Sequence, residues 1–333
     1  MCFDMNVLQG RIFFITGATG LIGSNLIKYL IDANESLINP IKILALVRNI
    51  EKAKKILGEN ENIIYIEGNV LDKISVDQTV DYIVHAASQT SSRLFVTEPV
   101  ETITTAFIGT QNILELARQK QVESIVYLST MEVYGAPATD ERITELHGTN
   151  IDTMMVRSSY PESKRVCEVL CTSYHGEYRV PVKVLRLTQT FGRGVSYSDE
   201  RVFAEFARCV IENRNIVLHT KGETKRNYLY TGDAITAILT ALVKGENGQA
   251  YNAANEATYC TIYEMAQLVA QKCANNQIDV VIEEKDESVF GFAPTLRVNL
   301  DSSKLRRLGW KPKVGLEDML RQLILDMQMN KNN

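Results

Sequence analysis

Apolar residues recur along this chain in short, nearly continuous runs separated by stretches with helical spacing. Six runs in the first half, at residues 11–16, 41–47, 62–66, 81–85, 124–129 and 182–187, carry Ile, Val, Phe and Tyr with few polar breaks. Strands covered on both faces read this way, whereas half-exposed strands alternate. Helical stretches lie between them at 21–32, 100–119 and 155–177. This alternation predicts an α/β fold on a doubly wound parallel sheet. From about residue 188 the rhythm changes to glycine-containing loops, short strands and helical stretches at 199–213, 232–244 and 262–274. That half reads as a smaller lobe on the carboxyl edge of the sheet, with Asp233 expected to cap the helix that follows it.

Composition narrows the classes. The 333 residues are 45% hydrophobic and 23% charged, the balance of an ordinary globular enzyme, and are enough for a sizeable core. A net charge of −4 leaves no basic footprint for nucleic acid or an anionic membrane. No apolar run approaches the roughly 20 residues needed to span a bilayer. The start, MCFDMNVLQGR, has no basic flank followed by an apolar stretch, so no signal peptide is read there. Six scattered cysteines form no CxxC pair and read as reduced thiols of a cytoplasmic protein. The four histidines show no metal-ligand spacing, and no metal is expected.

Three local motifs carry chemistry. The first run passes directly into Gly17-Ala18-Thr19-Gly20-Leu21-Ile22-Gly23 and then a helix. In that context Gly17 permits the tight turn, Gly20 lets backbone amides approach a pyrophosphate, and Gly23 lets the helix pack on the strand. The helix N-terminus then favours the phosphates. The second run ends Ala45-Leu46-Val47-Arg48-Asn49 without a carboxylate for a ribose hydroxyl. Arg48 can offer a planar fork to a 2′-phosphate, which favours NADP; the counter-reading stacks Arg48 on adenine and keeps NAD. Finally, Tyr160 and Lys164 lie one helical turn apart. A lysine ammonium beside a phenol is expected to draw its pKa down from about 10. The phenol could then take a proton from a sugar hydroxyl while hydride leaves the same carbon.

With TGATGLIGS, GNVLD, HAAS, GTQNILELA, YLSTMEVYG, YPESK, KRNYLYTGD and DSSKLRRLGWKP in this order, the chain resembles the extended short-chain dehydrogenase/reductase superfamily. Within it the chain is most similar to NAD(P)-dependent nucleotide-sugar epimerases, dehydratases and decarboxylases, with motifs nearest those of UDP-glucuronate decarboxylases. The resemblance implies a Rossmann-type cofactor domain over 1–187 and a substrate-binding lobe over 188–333, some of whose segments return to the sheet. It makes Tyr160 the acid or base, with Lys164 on the nicotinamide ribose, Thr130 on the reacting hydroxyl, Ser129 beside it, and Glu132 in the catalytic set. It places Thr19, Leu21 and Ile22 with the glycines on the phosphates, and Asn69 and Val70 on the adenine side. His85, Ala86 and Ala87 would line the nicotinamide half, though His85 also reads as a satisfied strand-end histidine.

For substrate, the resemblance implies Gln189, Arg226 and Arg297, the last near a carboxylate-binding arginine of decarboxylases. Departures from the family pattern are Gln189 and Ala106, where asparagines are usual, and Met131, where 4,6-dehydratases have the aspartate of an Asp-Glu pair. Methionine cannot donate a proton, so elimination of water is disfavoured. What remains is 4-epimerisation or decarboxylation through a 4-keto intermediate. The alternatives are an NADPH-dependent reductase of a keto-sugar nucleotide and a non-catalytic cofactor sensor. A homodimer through helices around 100–119 and 155–176 is implied by the same resemblance.

Overall fold

The structure, a computed structural model, describes residues 3–137, 139–284 and 295–331. Six predicted runs form strands β1 (Ile12–Thr16), β2 (Lys42–Val47), β3 (Ile63–Glu67), β4 (Tyr82–His85), β5 (Ser124–Thr130) and β7 (Val182–Leu187), and β6 is the two-residue Arg142–Ile143. They line up in the order β3-β2-β1-β4-β5-β7, all parallel. A seventh strand, Ala250–Ala253, comes from beyond residue 188 and pairs in parallel outside β7. Chain order reverses between β1 and β4, and ligands of doubly wound sheets bind beyond the strand ends at that point.

The continuous apolar character of the strands has its cause in two cores. Phe13, Ile15, Ile43, Ala45, Val84 and Val126 enter one face, together with Leu26, Ile27 and Leu30 of helix α1 (Leu21–Asn34). Phe14, Leu44, Ile83, Ile125 and Tyr127 enter the other. Covering that face are α4 (Pro99–Lys120) and α5 (Ser159–Tyr178); ahead of them come α2 (Ile50–Leu57) and the single turn α3 (Leu94–Thr97). Each such fully buried side chain contributes about 1.5–3 kcal/mol, so neither face tolerates a polar run.

Helix α5 starts later than the pattern suggested. Pro161 has no N–H for the Arg157 carbonyl, so a regular helix cannot reach back to Met155; a 3-10 turn, Val156–Ser158, leads in instead. Likewise the stretch 262–274 is α-helical only over Ile262–Leu268 and continues as a π-turn, Val269–Cys273.

Beyond β7, strand β8 (Gln189–Phe191) pairs with β9 (Lys225–Tyr230). Strand β9 also pairs with Asn255–Thr261 and, in parallel, with Arg297–Leu300. This second sheet and helix α6 (Val202–Ile211) build a third core around Phe191, Phe203, Phe206 and Tyr228. Asp233 does not cap its helix, Thr231–Lys244. Its buried carboxylate accepts the backbone N–H groups of Lys313 and Val314 at 2.9 and 3.0 Å, fastening a distant segment to this helix. Among the described residues no helix is long and apolar enough to cross a membrane.

Candidate active site

The glycine loop has two kinds of glycine. Gly17 sits at φ +64°, and a Cβ there would lie 2.7 Å from the Ala86 carbonyl. A Cβ on Gly23 would lie 2.2 Å from the Gly17 oxygen. The protein's own packing therefore demands both. At Gly20 the nearest obstacle is the Gly17 oxygen at 3.3 Å, and the residue is exposed at the N-terminus of α1. That open backbone suits an approaching pyrophosphate, with Thr19, Leu21 and Ile22 flanking it. Arg48 is exposed just past β2. Asn69 turns its carbonyl to the Leu71 N–H at 3.2 Å, and Val70 is buried against the helical Gly109. The residues present therefore fit a dinucleotide.

His85 lies beneath this surface rather than on it. It is 2% exposed, with Nδ1 2.7 Å from the Thr16 hydroxyl and Nε2 3.2 Å from that of Thr110. Thr16 Oγ also accepts the Ala87 N–H at 3.1 Å. One arrangement satisfies all three: Thr16 donates to Nδ1 and Nε2–H donates to Thr110. His85 thus ties β1, β4 and α4 together and fixes Ala86-Ala87 above, so its role toward a cofactor is indirect. Burial, then the charge of Lys164, holds the ring neutral with a pKa lowered to about 3. The unfolded chain takes up that proton near 6.5 and the folded one refuses it. Stability is therefore whole above about 6.5 and falls with pH, by about 1.4 kcal/mol per pH unit, down to about 3. His85→Gln is expected to flatten this acid limb, read from urea midpoints across pH; an unchanged limb would remove the assignment.

Tyr160 and Lys164 are both buried on one face of α5, against the end of β5. The expected lowering of the phenol by Lys164 is not found. Burial raises the Tyr160 pKa well above its ordinary value and Glu132 adds to the rise, while Thr130, Arg157 and Arg201 oppose it. Lys164 Nζ instead donates to the Leu128 carbonyl at 2.8 Å, 6.0 Å from the Tyr160 ring centre. Burial lowers its own pKa to about 8. Thr130, whose side chain favours the ionised phenol of Tyr160, accepts the Glu132 N–H at 3.3 Å.

Ser129, one residue earlier, is committed elsewhere. Its hydroxyl donates to Glu168 at 2.5 Å, and Glu168 is clamped by Arg186 at 2.6 Å. Arg186 also reaches the Tyr134 hydroxyl and the Glu145 carbonyl. Ser129 belongs to this buried network, not to the space around the phenol. Glu132 pairs with Arg157 at 2.8 Å. Met131 is buried in an apolar cluster with Val133, Tyr134 and Leu300, and its sulfur accepts from Thr188 at 3.4 Å.

Of the three substrate candidates, two meet. Arg226 donates to Gln189 at 3.0 Å, and its buried Nε has no partner among the described residues, which suits an anion. Arg297 lies in register with Lys225, one residue off Arg226, and so on the opposite face of the sheet. There it pairs with Asp140 at 2.8 Å. Sequence reasoning missed Phe95, which stacks on the Tyr160 ring at 4.1 Å; the charge of Arg201, in the segment before α6, also acts on the phenol. Nothing near Phe95 in the sequence signals that contact, which spans 65 positions.

The sequence profile of the NAD dependent epimerase/dehydratase family matches residues 13–254. Xenopus tropicalis UDP-glucuronic acid decarboxylase 1 is 30% identical over 311 residues, covering 93% of this chain and 70% of that protein. Bovine dTDP-D-glucose 4,6-dehydratase is 27% identical over 324 residues, covering 93% and 86%. Among solved structures, UDP-glucose 4-epimerase from Thermotoga maritima superposes with a TM-score of 0.82 at 22% identity, over 97% of this chain and all of that one.

Proposed function

Because the chain belongs to the NAD dependent epimerase/dehydratase family, we propose that it oxidises and re-reduces C4 of a nucleotide-diphosphate sugar, with 4-epimerisation as the net result. The observation that carries this is the pairing of buried Tyr160 and Lys164 beside Thr130, next to a position, Met131, that supplies no acid. Tyr160 takes the C4 hydroxyl proton and returns it. Thr130 orients that hydroxyl, and Gln189 with Arg226 anchors the diphosphate. A bound nicotinamide cofactor would supply the hydride acceptor, and its positive charge when oxidised would favour the phenolate. Decarboxylation is the second reading, supported by the relatives at about 30% identity and weakened by Arg297 facing away from Arg226.

A screen against UDP-, CDP-, GDP- and dTDP-sugars without added cofactor, with products detected by mass, tests this. An epimer formed without cofactor is the expected result. Release of CO2 from UDP-glucuronate would favour the second reading. Stoichiometric consumption of NADPH would make the protein a reductase, and cofactor binding without any turnover a sensor.

Arg48 supports NADP over NAD as the nicotinamide cofactor. Arg48→Ala is expected to weaken NADP binding by about tenfold or more, the worth of one charge-assisted contact, with NAD little changed. Equal weakening in calorimetric titrations would sink the preference. The free thiols support a reducing, cytoplasmic setting.

A homodimer is proposed through the outer faces of α4 and α5, where Val100, Ile103, Val166 and Val169 are exposed. Val100→Asp with Val169→Asp is expected to give a monomer by sedimentation. A variant that sediments like the parent would remove this surface from consideration.

A further inference from the structure

Glu132 and Arg157 form a contiguous chain of contacts to the reacting phenol without touching its hydroxyl in the structure. Arg157 Nη2 donates to Glu132 Oε2 at 2.8 Å, and both side chains are about a third exposed. The guanidinium lies over the Phe95 ring, 4.7 Å from its centre. Phe95 lies flat on the Tyr160 ring, with centres 4.1 Å apart and planes within 7°. Ser159 Oγ donates to the Phe95 carbonyl at 2.8 Å, so α3 is fastened to the first residue of α5. Each link comes from a different element: the 3-10 turn Met131–Tyr134, the 3-10 turn Val156–Ser158, α3, and α5.

We propose that Glu132 and Arg157 are a positioning pair that holds Phe95 against the Tyr160 ring and sets the field at its hydroxyl, neither exchanging a proton with substrate. A carboxylate engaged by an arginine and flanked by Met131 is placed to orient rather than to eliminate water. The two members act on the phenol with opposite sign, Glu132 opposing its ionisation and Arg157 favouring it. The other groups facing Tyr160 are Thr130 and Tyr127 from β5, Lys164 from α5 and Arg201 from the segment before α6. The pair's place in catalysis rests on the reading of Tyr160 as the acid-base group; its effect on the phenol does not.

A fluorinated tyrosine at position 160, whose phenol is intrinsically more acidic, reports ionisation by fluorine NMR without turnover. Glu132→Gln is expected to move its midpoint to lower pH and Arg157→Met to higher pH, each by about one pH unit. The double variant should return close to the parent, and Arg157→Lys, which keeps the charge, should restore most of the shift. Arg157→Gln serves where the methionine variant does not fold. The pH profile of turnover should move with the same signs, kcat changing about tenfold at fixed pH and KM little. Shifts of the same sign, or none in folded variants, overturn the proposal. So does loss of turnover in Glu132→Gln at an unmoved midpoint, which would make Glu132 an acid or base. Opposite shifts in a protein that turns over no nucleotide sugar support the pair and overturn the functional reading instead.

Discussion

Tyr160→Phe is expected to lower turnover by about 10²–10⁴-fold, the usual worth of a positioned acid or base, while cofactor binding stays near that of the parent. The change removes one hydroxyl and leaves the ring. Phe95 still stacks on it, and the Lys164–Leu128 bond does not involve it, so the fold should not suffer. Burial raises the pKa of the phenol in the absence of ligands. Rate at saturating sugar should fall in the variant while sugar affinity changes little. Product formation by chromatography and cofactor binding by calorimetry give the two readings. Activity within about tenfold of the parent would remove Tyr160 from the acid-base role.

Glu168→Ala is expected to cost about 3 kcal/mol of stability or more, because it leaves the partly buried Arg186 cation uncompensated. Burial by itself would lower the Arg186 pKa, and the hydrogen bonds and charge of Glu168 reverse that and raise it. The pair is forked, with Arg186 Nε at 3.0 Å and Nη2 at 2.6 Å from the carboxylate. Glu168 also holds Ser129, and it stands one turn beyond Lys164 on the same face of α5. Melting should fall by roughly 5–15 °C and the reacting face should loosen with it. Converting Glu168 and Arg186 together to methionine should cost less, since no lone charge remains. A single variant that melts with the parent would show that the pair carries no stability.

The parallel sheet, the glycine turn and the Tyr160–Lys164 pair were legible in the sequence because each depends on neighbours within a few positions. Two-sided burial writes continuous apolar runs, φ > 0 and close backbone approach demand glycine, and positions i and i+4 share a helix face. The family motifs then narrowed the chemistry. What the sequence could not decide was which partner each side chain meets across elements. Ser129 looked like a neighbour of the reacting hydroxyl, yet strand parity and α5 carry it to Glu168. His85 looked like cofactor lining, yet Thr16 and Thr110, from β1 and α4, close around it. Arg297 was read as near a substrate-carboxylate arginine, and its register with Lys225 puts it on the face opposite Arg226. Lys164 was expected to draw the Tyr160 phenol down, yet it bonds the Leu128 carbonyl and burial raises the phenol. Local pattern determines which elements form and which residues share a face; register, burial and the meeting of distant segments are properties of the assembled fold, and only the tertiary structure decided them.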